Sequence, residues 1–302
     1  MGLWLRLYET TPRQWLRAAR RRLAPRRAAG FSLEDLLEKR DALRPQKFTD
    51  FFGRYERIVR RHRPDSVPLD FGDKVVLELG SGPLLGFAPL AVFFGCRRYV
   101  CVDPTLDKAV LSHPVLRERY FSAIYDDLTA MHGPRQSLEA FLASLSDSIV
   151  PVQSIEHLPT EPGIDIVLSN SCLEHIDDLA ATLAALRGRC YQRATHLHLV
   201  DFGNHRRSPH PFSDVYEQPP EDYQRRFGRG INLMRGTDVV KSFQQAGFPA
   251  VLIRYYDAER TYHGTIHPWW QERYARADLF LKAGIIYVPP EGRGEQSPSM
   301  AR

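Results

Sequence analysis

Residues 75–95, VVLELGSGPLLGFAPLAVFFG, decide the fold of this chain. A short apolar run ends in Gly80-Ser81-Gly82-Pro83, and apolar residues then continue at helical spacing. This order predicts a buried strand, a tight glycine turn and a helix, which is the first unit of an α/β sheet. Because glycine has no Cβ, such a turn lets a ligand approach both the backbone and the amino end of the following helix.

An acidic residue ends the next strand, in CVDPT at residues 101–105. Asp103 is thereby placed to bond the two hydroxyls of a ribose. The glycines fall at Gly80, Gly82 and Gly86, so the spacing is not that of the dinucleotide fingerprint, and the stretch has no Lys or Arg for a pyrophosphate. Glu78 would repel a phosphate and suit a cation. The expected ligand is a nucleoside with a cationic amino-acid end.

Short aliphatic runs continue along the chain with helical stretches between the first five of them. They lie at residues 75–79, 99–103, 149–153, 165–170, 195–201, 249–257 and 277–288. Seven strands in this arrangement predict a doubly wound α/β sheet covered by helices on both faces. We divide the chain into a basic amphipathic tail at 1–29, a helical cap at 30–70, a main domain at 71–290 with an insertion at 202–236, and a flexible tail at 291–302.

Four segments together resemble the class I S-adenosylmethionine-dependent methyltransferases. They are ELGSG, the acid that ends strand two, IEHLP at 155–159 and DIVLSNSCLEHIDDL at 165–179. The resemblance covers about residues 70–290. It implies S-adenosylmethionine as the cofactor and a Rossmann-like seven-stranded sheet, mostly parallel with an antiparallel last strand, preceded by helices and carrying an insertion after strand five.

The resemblance also implies roles for individual residues. The glycine loop, Gly80 to Gly82 with Ser81, would contact the methionyl part of the cofactor, Glu78 its ammonium and Asp103 its ribose. The side chains expected around the adenine and beside the sulfonium are Ser154, Ile155, Ser169, Asn170 and Ser171. The chain departs from the family at Ser154, where Asp is frequent, and in GRCYQRATH before strand five, where the family has a glycine-containing turn.

Methyl transfer is an in-line displacement that leaves one proton to be removed from the acceptor. His175, just beyond strand four, and His205, after strand five, are the candidate bases, since a neutral imidazole accepts a proton near pH 7. Capping and packing would explain His175 equally well. His196 and His198 share one face of a strand and are expected in the core. We expect no metal site, because Asp201 and Asn204 lack further acids nearby in sequence.

The acceptor is expected to be a small molecule methylated on oxygen or nitrogen. Strand four ends in SNSCLEH instead of the Asn/Asp-Pro-Pro-aromatic signature of enzymes that methylate base amino groups, which argues against nucleic acid. Alternatives are a glycan or lipid-linked acceptor at a membrane surface, and a non-catalytic cofactor-binding module. Aromatic residues of the insertion, among them Phe212, Tyr216 and Tyr223, either bind the acceptor or pack a small core of their own.

The net charge of +5 is concentrated in one terminus. The first thirty residues carry eight arginines and a single acid, Glu9, so the remainder of the chain is slightly acidic. Such a tail either contacts an anionic membrane surface peripherally, binds a partner or remains a solvated extension. Four cysteines without a CxxC pair and the lack of a long apolar run predict a protein of the cytoplasm with reduced thiols.

Overall fold

The structure is a computed structural model that describes residues 46–66, 68–158, 163–205 and 210–290. The predicted basic tail, the start of the helical cap and the tail at 291–302 lie outside the described residues. Within the described ranges no helix is long and apolar enough to cross a membrane.

The centre of the molecule is one seven-stranded sheet. Its strands are β1 Val75–Leu79, β2 Arg98–Val102, β3 Ile149–Val152, β4 Ile164–Asn170, β5 Cys190–Asp201, β6 Val251–Asp257 and β7 Leu281–Val288. Their order is β3-β2-β1-β4-β5-β7-β6. Strands β1 to β5 pair in parallel, whereas β7 is antiparallel to both β5 and β6. The predicted Rossmann-like sheet, mostly parallel with an antiparallel last strand, is therefore confirmed.

Ten α-helices accompany the sheet in the described residues. They are α1 Gln46–His62, α2 Ala88–Phe93, α3 Pro114–Leu116, α4 Ser122–His132, α5 Leu138–Ser148, α6 Leu179–Arg187, α7 Pro220–Phe227, α8 Gly236–Gln245, α9 Pro268–Gln271 and α10 Arg276–Leu279. Side chains of α1, α2, α4 and α5 pack in one apolar cluster with the sheet, and those of α6 and α8 pack in a second. The sheet is thus covered on both faces, as its near-continuous apolar strands require.

The insertion after β5 has a core of its own. Phe212, Tyr216 and Tyr223 are buried against Trp270 and Phe280, which come from the segment between β6 and β7. This packing covers their aromatic faces, so the structure favours the alternative that they form a small core over the alternative that they bind the acceptor.

A buried guanidinium joins this small core to the sheet. Arg235, 1% exposed, donates hydrogen bonds to the Phe202 carbonyl and the Tyr216 hydroxyl at 3.1 and 2.9 Å. Its Nε also donates to the Leu233 carbonyl at 3.2 Å. Burying a charge is tolerable only when its donors are satisfied in this way. Arg235 therefore fixes the insertion over the carboxyl ends of β4 and β5.

Candidate active site

A cavity of about 550 Å³ lies at the carboxyl ends of β1, β2 and β4. This is the edge where open α/β sheets bind ligands, and the volume is in the usual range for a small-molecule site. Its walls come from the glycine loop, the ends of β2 and β3 and the turn after β4. The lining residues are Leu79, Gly80, Gly82, Pro83, Val102, Asp103, Pro104, Thr105, Gln153, Ser154, Ile155, Glu156, Ser171, Cys172, His175, Ile176 and Thr182.

Gly82 and Asp103 form the centre of this cavity. The Asp103 carboxylate accepts a hydrogen bond from the Gly82 amide at 2.8 Å through Oδ2. Its Oδ1 accepts from the amide and hydroxyl of Thr105 at 2.8 and 2.6 Å. Gly82 has φ of +68°, and a Cβ there would meet nothing within 4 Å, so its backbone borders open space. The two residues singled out by sequence are tied together on one wall.

Glu78 lies beneath the glycine loop, outside the cavity wall. Its Oε2 accepts hydrogen bonds from the Tyr99 hydroxyl at 2.7 Å and the Phe87 amide at 3.0 Å. A Cβ on Gly86 would sit 2.2 Å from that carboxylate, which explains why the third glycine is at 86. Burial raises the pKa of Glu78 to about 7. Glu78 thus supports the loop from below, and its contact with the cofactor ammonium stays a prediction.

The far end of the cavity has apolar walls suited to a flat ring. Val102, Ile155 and Ile176 line it, and the first two are nearly fully buried. Ser154, at the adenine end by resemblance, lines the cavity too, with its hydroxyl accepting a weak hydrogen bond from the Glu156 amide at 3.4 Å. Gln153 also lines this end, and sequence reasoning missed it because one polar residue at a strand end has no distinctive pattern.

The residues that end β4 are divided between the cavity and the core. Ser171 lines the cavity in the left-handed region, with φ of +51°. Asn170 accepts a hydrogen bond from the Tyr55 hydroxyl of α1 at 2.8 Å. Ser169 is buried, with its hydroxyl 2.8 Å from Nδ1 of His198. Neither Asn170 nor Ser169 lines the cavity, and nor does Ser81, which is 5% exposed behind the loop.

His196 and His198 belong to the core, as expected. Both are fully buried between β5 and helix α8, in ring contact with Phe243. Burial lowers the pKa of His198 to about 3 and that of His196 well below its ordinary value. Both imidazoles are neutral packing groups at physiological pH.

The two candidate bases lie side by side at the edge of the cavity. The ring centroids of His175 and His205 are 4.9 Å apart, and His175 lines the cavity while His205 does not. Nδ1 of His175 is 2.6 Å from the carbonyl oxygen of Gly230 in the insertion. A carbonyl only accepts, so Nδ1 carries a proton, and in the neutral ring the lone pair is on Nε2.

Two carboxylates face His205. Its Nε2 is 3.6 Å from Oε1 of Glu174 and 3.5 Å from Oδ1 of Asp201. Burial raises the pKa of Glu174 to about 7. Burial acts in the same sense on Asp201, but hydrogen bonds from His205 and Lys282 outweigh it and hold its pKa well below the usual range. The hydrogen bond to Asp201 in turn raises the pKa of His205.

Asn232, which the sequence did not single out, holds the turn that carries His175. Its side-chain amide donates to the carbonyls of Leu173 and Ile176 at 2.8 and 3.0 Å, and its backbone amide donates to the Glu174 carbonyl at 2.8 Å. The insertion therefore positions the turn after β4, and no local pattern in the sequence reveals such a long-range clamp.

No protein-family model matches the chain, and no curated protein matches it in sequence. Solved structures do match. An S-adenosylmethionine-dependent methyltransferase from Mesorhizobium loti is 13% identical over 76% of this chain and 97% of its own, with a TM-score of 0.42. Phosphoethanolamine N-methyltransferase 2 from Haemonchus contortus, in complex with S-adenosyl-L-methionine, is 13% identical over 86% of this chain and 60% of its own, with a TM-score of 0.44. An arsenic(III) methyltransferase from Chlamydomonas reinhardtii is 18% identical over 76% and 67%, with a TM-score of 0.38.

Proposed function

We propose that this protein is an S-adenosylmethionine-dependent methyltransferase acting on oxygen or nitrogen of a small molecule. The observation that carries the proposal is the Asp103 carboxylate, bonded to the Gly82 amide on the wall of one cavity at the carboxyl edge of the sheet. A strand-end acid beside a glycine loop is the arrangement that holds a ribose in doubly wound folds.

The charge and shape of the cavity fit this cofactor better than a nucleotide. Among the described residues that line it, none is Lys or Arg, whereas Asp103 and Glu156 bring carboxylates. A pyrophosphate would be repelled there, and a ligand with a sulfonium and an ammonium would be attracted. The apolar end at Val102 and Ile155 suits the adenine, and the open side of Gly82 leaves space for the amino-acid end.

When bound, S-adenosylmethionine supplies the methyl group of its sulfonium and leaves as S-adenosylhomocysteine. The chain has to align an acceptor with that methyl group and dispose of the acceptor proton. His175, on the cavity wall, and His205 with Glu174 beside it are the groups at hand for this proton. We expect the acceptor to reach the cofactor beside His175, at the edge of the cavity where the insertion joins the turn after β4.

A polar cluster beside the cavity favours turnover over cofactor binding alone. A pure binding module has no need for two imidazoles and a buried glutamate next to its ligand.

A glycan or lipid-linked acceptor is distinguished from a free small molecule by the product formed. Extracts of soluble metabolites and of lipids, each incubated with the protein and cofactor labelled in its methyl group, should show by mass spectrometry which fraction gains the label.

Calorimetry with Asp103→Asn tests the cofactor site. Loss of the carboxylate removes a charged acceptor for the ribose hydroxyls, which costs roughly 1.5–3 kcal/mol, so the affinity for S-adenosylhomocysteine should fall at least about tenfold. Asp107→Asn is the matched control, because Asp107 caps the next 3-10 turn through the Ala109 amide and does not line the cavity. Equal affinity in wild type and Asp103→Asn would refute the site.

A further inference from the structure

We propose that Glu174, His175 and His205 bind a divalent transition-metal ion beside the proposed cofactor cavity. One carboxylate oxygen and one ring nitrogen of each histidine lie within 4.8 Å of one another. Two ligands at about 2.0–2.2 Å from one tetrahedral ion lie about 3.3–3.6 Å apart. Nε2 of His205 is already 3.6 Å from Oε1 of Glu174, and both histidines are exposed, so rotation of their rings can supply the remaining closure of about 1 Å.

The buried end of Glu174 points to a missing partner. The residue is 5% exposed, and its Oε1 accepts from the Asp201 amide at 3.2 Å. Its Oε2 has no hydrogen-bond partner among the described residues. An orphaned oxygen on a buried glutamate is costly, and a cation bound by this carboxylate would compensate its unpaired charge.

The hydrogen bond of His175 fits a metal ligand. Histidines that coordinate metals usually donate their other ring N–H to a carbonyl or a carboxylate, which fixes the tautomer and the ring. His175 donates Nδ1–H to the Gly230 carbonyl in this way, and its Nε2 carries the free pair. Asn232 holds the same turn through three hydrogen bonds. The supporting contacts of a metal site are thus already formed.

Asp201 is not counted among the ligands, and the ion would take the place of the proton that Nε2 of His205 donates to it. Lys282 pairs with its Oδ1, and the Gly203 amide also donates to that oxygen, at 2.8 Å. The ligand set is then two imidazoles and one carboxylate, with further positions open to water or to an acceptor oxygen. Imidazole ligands favour zinc, cobalt, iron or nickel over magnesium and calcium.

The catalytic consequence rests on the proposed methyltransferase function, whereas the binding of the ion does not. A ring nitrogen that coordinates an ion has no lone pair left for a proton. An acceptor hydroxyl bound to the ion would release its proton to solvent more readily, because the cation stabilises the oxyanion. The oxyanion would then form the new bond to the methyl carbon while the carbon–sulfur bond of the sulfonium breaks. Activation by the ion thus takes the place of direct proton acceptance by His175 and His205.

Titration with Co²⁺ tests the site. The full chain is produced without a polyhistidine tag, and a chelator removes bound metal before the titration. Calorimetry and the visible spectrum should show one equivalent of Co²⁺ bound to the wild type. Glu174→Gln keeps the shape of the side chain and should weaken binding at least about tenfold, as should His205→Gln. His263→Gln removes an exposed histidine elsewhere and should leave binding unchanged. Thermal melts identify a variant that fails to fold, and Glu174→Asp then takes its place.

Three results would overturn the inference: no binding of Co²⁺ or Zn²⁺ at millimolar concentration, equal affinity in wild type and both site variants, or a loss in His263→Gln as large as theirs. Calorimetry with S-adenosylhomocysteine on the same samples separates the two proposals. Intact cofactor binding without metal binding refutes the metal site alone, and metal binding without cofactor binding refutes the proposed function alone.

Discussion

At the scale of single residues, Glu78 beneath the glycine loop makes the unfolding free energy depend on pH. Its carboxylate is 1% exposed beneath the loop, and burial raises its pKa from 4.5 to about 7. Between those two values the folded chain holds a proton that the unfolded chain releases. Stability from this group is therefore complete below pH 4.5 and is lost as the pH rises through 7.

We expect Glu78→Gln to remove this loss of unfolding free energy at rising pH. The amide cannot ionise and still offers an oxygen to the Phe87 amide and the Tyr99 hydroxyl. Between pH 5 and pH 8 the unfolding free energy of the variant should gain roughly 2 to 3 kcal/mol relative to wild type. Urea unfolding at the two pH values measures the difference. In Glu118→Gln, at an exposed position, the unfolding free energy should change between the two pH values as it does in wild type. The same change in Glu78→Gln as in wild type would contradict the raised pKa of Glu78.

Residues at this scale also show what sequence can predict. Asp103 and Gly82 were found because their roles depend on position relative to a strand end, and strand ends are visible in the hydrophobic pattern. Glu78 is expected at the cofactor ammonium by resemblance alone. The sequence did not predict that Tyr99 donates to its carboxylate or that the lack of a Cβ on Gly86 makes room for it. A side chain at a strand end can point toward the cavity or into the core, and its packing with residues distant in sequence determines which.

At the scale of elements, the insertion and the turn after β4 act as one unit. The insertion contributes Gly230 and Asn232 as partners of the turn, while Arg235 fixes the insertion itself to the sheet. The sequence predicted the insertion from the length of the connection. It did not predict this clamp, because the hydrogen bonds join residues nearly sixty positions apart.

Asn232→Asp tests the clamp with a nearly isosteric change. The carboxylate has no N–H to donate and faces the carbonyls of Leu173 and Ile176, so unfolding free energy should fall by roughly 1–3 kcal/mol. Hydrogen exchange should accelerate at the amides of His175 and Ile176, which close this turn. Gln245→Glu, an exposed amide-to-acid change on α8, is the control. Unchanged exchange in the turn would show that Asn232 is dispensable for its geometry.

At the scale of the whole molecule, the sequence predicted the class of sheet but only part of the proposed site. Seven apolar runs with helices between the first five leave few topologies, because parallel crossovers are right-handed and connections do not cross. The cluster of Glu174, His175 and His205 depends on the approach of the turn after β4 to the loop after β5. The sequence predicted both histidines at this edge. It did not single out Glu174, because no local pattern shows that this glutamate is buried beside them.

The charge of the whole chain leads to the last prediction. Eight arginines lie in the first thirty residues, against a slightly acidic remainder that carries the proposed cofactor site. Each basic residue near an anionic membrane contributes on the order of 1 kcal/mol, and salt screens the attraction. The full chain should sediment with vesicles rich in phosphatidylserine at low salt, and not with phosphatidylcholine vesicles or at high salt.

Replacing the eight arginines by glutamine should abolish that sedimentation and leave the affinity for S-adenosylhomocysteine unchanged, because no described residue lining the cavity belongs to the tail. The apolar residues of the tail, among them Trp4 and Trp15, stay in place in this variant, so the comparison isolates charge from hydrophobic insertion. Sedimentation equal to that of wild type would assign any membrane contact to those apolar residues. A drop in cofactor affinity would contradict the separation of the tail from the proposed catalytic domain.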